Sequence, residues 1–492
     1  MATADPQPEN PHRLPDDGAP PSPSAPLPAR LLGRSAVRLR QDLASGALTA
    51  AEVTEAALDA AERHAGLGAF ALVDAAGARA QAAALDAERR RDEDGHRQLA
   101  GMPLAYKDLL DVAGLPTRHG SALTAQAPVP TQDDPLVARL RAAGTVTLGK
   151  TTVPEFGLDA HSENPLGGAA RNPFDPARTA GGSSGGAAAA VAAGILPFAP
   201  GNDGGGSIRI PAAACGLVGL KPGRGAVPSD RTPDAVTNLT CSGPLAHTAE
   251  DAALLFDVMT SGEGLAGRTL PDVQAAASAL AAGERPHPLR VGLTTASPFG
   301  ASLEIRLANT AVAALTRAAA DLSGLGHGVE EFTPDYGAEY HQDFRTVWTS
   351  NLLNAELPEG AAEHLGPLAA DFLASASARP RQETAAAVDR LTAWARDVRG
   401  QLAAHDVVLT PMLAFAAPQV GHFTALAPEE NYEEQCRFTP YTSMVNVLGL
   451  PAVSVPVLQD EDGMSWSVQL IGRPGAETQL LTLAAQLEAA RG

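Results

Sequence analysis

Residues 181–186 have the sequence Gly-Gly-Ser-Ser-Gly-Gly, and residues 204–209 have the sequence Gly-Gly-Gly-Ser-Ile-Arg. Each stretch places a serine in a glycine-rich turn, and Ser183 precedes Ser207 by 24 positions. Glycines allow backbone N–H groups to converge on one point, as an oxyanion hole requires. One stretch alone would indicate only a tight turn, but the two together indicate a serine-based catalytic centre.

The scarcity of lysine points to a third catalytic residue. Only three of the 36 basic residues are lysines, at positions 107, 150 and 221. Arginine stays charged in proteins, whereas a buried lysine can lose its proton near neutral pH. A serine nucleophile needs a base, and no local motif supplies a histidine. Lys107, at the end of the apolar segment 101–106, is therefore the predicted base, and Ser183 or Ser184 would relay the proton.

Asp203 and Arg209 flank Ser207 in the second glycine-rich stretch. Charge-assisted hydrogen bonds from these two side chains would brace the loop. A structural ion pair is preferred over a direct catalytic role for both residues.

Two other motifs lack the structural context that they need. Residues 144–151 fit the G-x-x-x-x-G-K-[ST] phosphate-loop pattern, but the variable positions form an apolar, β-branched strand. Pro154 also lies where the helix of a phosphate loop should begin. Residues 181–185 fit the G-x-S-x-G nucleophile elbow, but the preceding segment 172–178 does not resemble the strand that this elbow follows. Both alternatives are therefore disfavoured.

The composition is that of a globular enzyme. The 492-residue chain is 45% hydrophobic and has a net charge of −20, which disfavours a nucleic-acid partner because phosphate binding needs a basic surface. The histidines lack the spacings of metal ligands, so neither a metal nor a cofactor is expected. The three cysteines, at positions 215, 241 and 436, form no disulfide framework and suit a reducing compartment.

The chain divides into a short tail and one large domain. Residues 1–30 hold nine prolines and no apolar run, which predicts a disordered tail rather than a signal peptide. The sequence contains no uninterrupted run of about 20 apolar residues, the length that a membrane-spanning helix needs, so the expected location is cytoplasmic. After residue 30, helix-like segments such as 134–143 alternate with strand-like segments such as 145–148. This alternation predicts an α/β fold around a largely buried sheet.

The two glycine-rich stretches lie within longer segments that resemble the amidase signature hydrolases. The matching segments span nearly the whole chain after residue 31: 101–120, 148–164, 171–186, 201–212, 215–222, 242–245, 410–411 and 449–452, with Asn446. The resemblance implies a single α/β domain over residues 31–492, with a large mixed β-sheet covered by α-helices on both faces. Residues 31–100 would form a helical N-terminal part, 101–260 the catalytic core and 261–492 the variable part around the substrate pocket.

The resemblance also implies a Ser–cisSer–Lys triad. Ser207 would be the nucleophile, Lys107 the base, and Ser183 a bridging serine that follows a cis peptide bond. The backbone would supply the oxyanion hole from Gly204, Gly205, Gly206 and Ser207. Ser184, Asp203 and Arg209 would support the loops. Asn202 and Gly204 stand where many relatives have Ser or Thr, a departure that removes no reacting group.

The implied activity is cleavage of a carbon–nitrogen bond in a small-molecule amide. Residues 107–117 resemble stand-alone bacterial amidases, including cyclic-oligoamide (nylon-dimer) hydrolases, aryl acylamidases and carbamate-cleaving enzymes. Candidate pocket residues are apolar or aromatic, and core packing is an equal alternative for each one. They are Phe156, Trp348, Phe415, Cys436, Phe438 and Tyr441.

Two alternative functions belong to the same fold. The first is the glutaminase subunit of a tRNA-dependent amidotransferase, whose glutamine-recognition segment (Asp-Gly followed by Arg-Tyr-Gly) is absent, with residues 350–356 in its place. The second is a biosynthetic acyltransferase that uses an amine instead of water, which the residues alone leave open. A homodimer is also left open.

Overall fold

A computed structural model of the chain describes residues 35–91, 97–228, 236–260, 267–355, 357–358 and 360–491. The predicted tail at residues 1–30 lies outside these ranges. The strands are β1 (Phe70–Val73), β2 (Pro103–Lys107), β3 (Val146–Thr151), β4 (Phe198–Asp203), β5 (Val218–Lys221), β6 (Cys241–Ala246), β7 (Arg290–Leu293), β8 (Gly328–Glu331), β9 (Val407–Pro411), β10 (Ala452–Gln459) and β11 (Ser465–Gly472). The helices of the described residues are α1 (Ala36–Ser45), α2 (Ala50–Arg63), α3 (Ala75–Arg90), α4 (Pro135–Ala142), α5 (Gly185–Ala192), α6 (Arg209–Ala214), α7 (Ala249–Met259), α8 (Thr269–Ala281), α9 (Asn309–Gly324), α10 (Tyr340–Ser350), α11 (Pro367–Ala378), α12 (Arg381–Leu402), α13 (Pro428–Phe438), α14 (Ser443–Leu448) and α15 (Glu477–Ala489).

The strands form two sheets. Eight strands make a mixed sheet in the order β4-β6-β5-β10-β11-β9-β7-β8, in which β7 is parallel to both β8 and β9. The other three strands make a small sheet in the order β1-β3-β2, with β2 parallel to β3. The predicted α/β fold with a large mixed sheet is confirmed.

Side-chain alternation along the central strands builds a different layer on each face of the large sheet. Val453 and Val455 of β10 belong to a core cluster that also contains apolar residues of α7, α9 and α15. The opposite face carries polar side chains, including Gln469 of β11, which accepts a hydrogen bond from Arg209 at the start of α6. Because successive strand residues point to opposite faces, one face is apolar and the other supports the loop that follows β4.

Local sequence signals account for the starts of two helices and for one strand. Thr49 and Glu52 form the capping box that starts α2, and Asp134 caps α4. The phosphate-loop look-alike is strand β3, as its apolar pattern indicates. Lys150 on this strand is buried, with its Nζ 3.1 Å from Asp108 Oδ1. This lysine therefore belongs to a buried ion pair rather than to a phosphate site.

The three cysteines are buried free thiols, in agreement with the sequence pattern. Within the described ranges, no helix combines the length and the apolar character needed to cross a membrane.

Candidate active site

The site lies where the small sheet meets the large one. Strand β2 is buried along its whole length and ends at Lys107, whereas β4 is an edge strand of the large sheet and ends at Asp203. The Nζ atom of Lys107 lies 2.7 Å from Ser183 Oγ and donates a hydrogen bond to the carbonyl of Asn202 at 3.2 Å. Lys107 is thereby held between the serine loop and the strand that leads to Ser207.

Burial changes the chemistry of Lys107. The residue is 1% exposed, and loss of hydration lowers the pKa of its ammonium group to about 7, against the opposing charge of Asp203. The lowered pKa brings loss of the Lys107 proton from far above neutrality to near pH 7.

The loop at residues 181–186 is fixed from several sides. The peptide bond between Gly182 and Ser183 is cis. Gly182 packs so closely on the backbone of His161 that an added Cβ would lie 2.1 Å from its carbonyl oxygen. Ser162 Oγ accepts a hydrogen bond from Gly185 N and donates one to the carbonyl of Ser183, at 3.0 and 3.3 Å. The bridging-serine candidate is therefore held in one orientation by its neighbours.

The two glycine-rich loops are hydrogen-bonded to each other. Ser184 N donates to the carbonyl of Ser207 at 3.1 Å, and Ser184 precedes the short, buried helix α5. Thr442 Oγ1 donates to the carbonyl of Gly205 at 2.6 Å. These contacts support the conformation of the second loop from outside it.

One of the four predicted oxyanion donors is already used. The N–H of Gly206 donates to Asp203 Oδ1 at 2.7 Å, because the carboxylate at the end of β4 folds back under the loop. The N–H groups of Gly204, Gly205 and Ser207 remain as the candidates for binding an oxyanion.

Asp203 and Arg209 form the ion pair that the sequence suggests. Both side chains are fully buried, and two guanidinium nitrogens of Arg209 each donate to Asp203 at 2.9 Å. Arg209 also donates to Asn446 and Gln469. Burial alone would raise the pKa of Asp203, but Arg209 holds this pKa well below its usual range. The pair acts as a support for the loop that carries Ser207.

We expect Asp203→Asn to lower the free energy of unfolding by about 3–5 kcal/mol, because the Arg209 charge would remain buried without its partner. Urea denaturation followed by far-ultraviolet circular dichroism measures this loss. Arg79→Ala, which breaks an exposed ion pair with Glu55, is the matched control and should leave the midpoint unchanged. A loss below about 1 kcal/mol in Asp203→Asn would show that the remaining partners of Arg209 compensate for the charge.

A cavity opens beside Ser207. Counted out to its open mouth, the space that it includes is about 500 Å³. Its lining combines the glycine loop with apolar and aromatic side chains from the later part of the chain: Leu158, Asp159, Ala160, Gly205, Ser207, Ile210, Phe299, Phe344, Trp348, Phe372, Tyr432, Gln435, Cys436, Thr439 and Ser443. Trp348 and Cys436 are thus the two predicted pocket residues that line it. Burial raises the pKa of the Cys436 thiol to about 12, so this thiol stays protonated.

The other four predicted pocket residues lie outside this lining. Phe156 stacks on His119, with ring centroids 5.8 Å apart. Phe415 and Phe438 pack on each other at 5.1 Å within a core cluster. Tyr441 is buried and donates through Oη to the carbonyl of Thr295.

Several residues of the lining were not predicted from the sequence. Phe344 lies four positions before Trp348 on α10, and Tyr432 lies four positions before Cys436 on α13. This spacing places each pair on one helix face, so it is the signal that could have identified the additional residues.

The chain is similar to known proteins over most of its length. The chain matches the Amidase family over residues 52–481. It is 37% identical over 457 residues to the candidate amidase AmiB2 of Mycobacterium tuberculosis, covering 91% of this chain and 94% of that protein. A structure of 6-aminohexanoate cyclic dimer hydrolase complexed with substrate superimposes with a TM-score of 0.81 and 29% identity, covering 93% of this chain and 97% of that one. A bacterial aryl acylamidase shares the fold alone, with a TM-score of 0.79 and 24% identity over 93% of this chain and 96% of its own.

Fold and relatives together define a hydrolase of carbon–nitrogen bonds other than peptide bonds. The chain belongs to the amidase family, that of the amidase signature enzymes, as the resemblance in its sequence predicts.

Proposed function

We propose that the chain hydrolyses the amide bond of a small molecule through a relay of Lys107, Ser183 and Ser207. The observation that carries this proposal is the 2.7 Å contact between Lys107 Nζ and Ser183 Oγ, made by a buried lysine whose pKa is about 7. A fully protonated lysine at this position would be unable to act as a base.

Each step of the proposed reaction is assigned to a named group of the site. Neutral Lys107 accepts the Ser183 proton while Ser183 accepts that of Ser207, whose Oγ attacks the amide carbonyl. The N–H groups of Gly204, Gly205 and Ser207 stabilise the negative oxygen. The proton returns through Ser183 to the leaving nitrogen, and the amine departs. Water then attacks the acyl-enzyme by the same route and releases the carboxylic acid.

The test is mass spectrometry of products from a panel of linear amides, anilides, carbamates, cyclic diamides and glutamine. We expect at least one of the non-glutamine classes to be cleaved, with acid and amine released in equal amounts from amides. Products that form only with an added amine acceptor would favour the acyltransferase alternative. Ammonia released from glutamine alone would favour the glutaminase alternative, and no product from any class would contradict the proposal.

The proposed hydrolysis is favoured over the glutaminase role by the sequence near the end of α10. Residues 351–355 form a short 3₁₀ helix where that role would place its recognition segment, and the Asp-Gly and Arg-Tyr-Gly elements are absent from the chain there. Carbamate or nylon-oligomer cleavage, a cytoplasmic location and a homodimer stay predictions.

A further inference from the structure

Three aromatic side chains of α10 form a stacked row, here called the aromatic ladder: Tyr340, Phe344 and Trp348. They are four residues apart and therefore share one face of the helix. The ring centroids of Tyr340 and Phe344 are 5.6 Å apart with an interplanar angle of 8°, and those of Phe344 and Trp348 are 5.8 Å apart at 22°. The ladder runs from fully buried Tyr340 to half-buried Trp348.

The open end of the ladder lies against the loop that precedes Ser207. A Cβ added to Gly204 would lie 3.3 Å from Trp348 Cζ3, and one added to Gly205 would lie 3.8 Å from Trp348 Cη2. Phe344 and Trp348 also line the cavity that contains Ser207. A carbonyl group bound by this loop therefore has the indole ring as an immediate neighbour.

Among the described residues that line the cavity, Asp159 carries the one carboxylate, and protein groups already engage it. Asp159 Oδ1 accepts a hydrogen bond from Gln435 Nε2 at 2.9 Å and lies 3.5 Å from His161 Nε2. Burial is the largest single effect and lowers the pKa of His161, but the charge and hydrogen bond of Asp159, together with the charge of Glu163, raise this pKa overall. Gln435 Oε1 accepts from Ala160 N at 2.6 Å. These pairings disfavour a substrate that depends on a charged group at this wall.

The remaining wall presents mostly rings and paired hydroxyls. Phe299 meets Phe344 edge to face, and Phe372 meets Tyr432 in the same way. Ser443 Oγ is hydrogen-bonded to the hydroxyl of Tyr340. This part of the wall therefore offers mainly ring faces and edges to a bound molecule.

We infer that the aromatic ladder selects amides with an aromatic ring within one or two bonds of the scissile carbonyl, stacked on Trp348; this inference rests on the proposed function. A flat ring can extend the stack, whereas a puckered ring of the same size cannot. Stacking of one aromatic pair is expected to make binding of the flat ring about 2- to 13-fold tighter than binding of the puckered ring. The ring could be attached on the acyl side or on the amine side, and the experiment separates these placements.

The experiment uses two matched substrate pairs. Phenylacetamide and cyclohexylacetamide carry the ring on the acyl side, and acetanilide and N-cyclohexylacetamide carry it on the nitrogen. For each pair, the ratio of kcat/KM for the aryl and cyclohexyl members is measured in wild type and in Trp348→Leu. Comparing the ratio between proteins cancels the intrinsic reactivity of the compounds. We expect the ratio to fall by about 2- to 13-fold in Trp348→Leu for one of the pairs.

Two further variants control for the loss of any aromatic side chain. Trp348→Phe keeps a flat ring and should keep most of the aryl preference. Trp466→Leu removes a tryptophan from the core cluster on the other face of the large sheet and should leave the ratio unchanged. A ratio that changes equally in Trp466→Leu and Trp348→Leu would contradict a role for the ladder.

A binding measurement separates failure of this inference from failure of the proposed function. Calorimetry gives the Kd of each compound for wild type and Trp348→Leu. Hydrolysis with ratios that Trp348→Leu does not alter would overturn the ladder and leave the amidase proposal standing. Absence of hydrolysis, with tighter aryl binding that Trp348→Leu abolishes, would support the ladder and count against the proposed reaction. If no compound is hydrolysed and the aryl compounds bind no more tightly than the cyclohexyl compounds, the inference is overturned.

Discussion

Ser207→Ala is expected to lower kcat for amide hydrolysis by about 10⁵- to 10⁶-fold, the scale seen when a serine hydrolase loses its nucleophile. Ser207 lines the cavity, and its side chain is the proposed attacking group. The change removes only the hydroxyl. The backbone carbonyl of residue 207 remains and can still accept the hydrogen bond from Ser184 N, so the contact between the two loops is kept. Product formation by mass spectrometry gives kcat, and circular dichroism shows that the variant is folded.

Ser454→Ala is the matched control for this variant. Ser454 is a buried serine on β10 whose hydroxyl has no partner among the described residues, so its removal should leave turnover unchanged. Intact-mass analysis with a slow substrate should show an acyl adduct on wild type and none on Ser207→Ala. An adduct that maps to Ser183, or a Ser207→Ala variant that keeps near-normal turnover, would move the nucleophile to the G-x-S-x-G motif.

Replacing Lys107 is expected to cost about 10²- to 10⁴-fold in kcat/KM, the usual contribution of a general base. Lys107→Met removes the amine, and Lys107→Arg keeps a positive charge that is not lost in proteins. Both variants should be nearly inactive, because the proposed step needs a neutral nitrogen 2.7 Å from Ser183 Oγ. An Arg variant with near-normal activity would contradict the role of Lys107 as a base.

The pH dependence of the wild type tests the same group. The base is active only without its proton, so kcat/KM should fall about tenfold per pH unit below the Lys107 pKa of about 7 and level off above it. Preincubation at each pH excludes loss of folded protein. Lys221→Met should keep the same inflection, because Lys221 Nζ is hydrogen-bonded to the carbonyl of Pro222 and has no assigned part in the reaction. A flat profile, or one that peaks in acid, would contradict the assignment.

The catalytic candidates could be predicted because each lies in a short, distinctive segment. Glycine clustering around Ser183 and Ser207 is visible without any knowledge of long-range contacts, and Lys107 stands out because lysine is rare in this chain. The hydrogen bond from the Gly206 N–H to Asp203 could not be predicted, because a sequence of three glycines does not determine the direction of each N–H group.

The pocket and one central strand were harder to predict for different reasons. Phe415 and Phe438 are aromatic, as pocket residues often are, so the sequence does not distinguish them from pocket residues. Only the tertiary structure shows that their rings pack on each other. Strand β11, where Gln469 and Ser467 lie among apolar residues, was not predicted. Gln469 is polar because it supports Arg209 across the sheet, and this long-range partner masks the pattern of a buried strand.

The burial of all three lysines has a consequence for chemical labelling. Lys107 is 1% exposed, and Lys150 and Lys221 are fully inaccessible, while the other basic side chains are arginines. Acylating reagents that modify lysine side chains will therefore find no accessible lysine amine among the described residues of the folded protein. Any lysine that becomes modified must first have been uncovered by local or global opening, so the extent of acylation at each lysine measures how often its surroundings open.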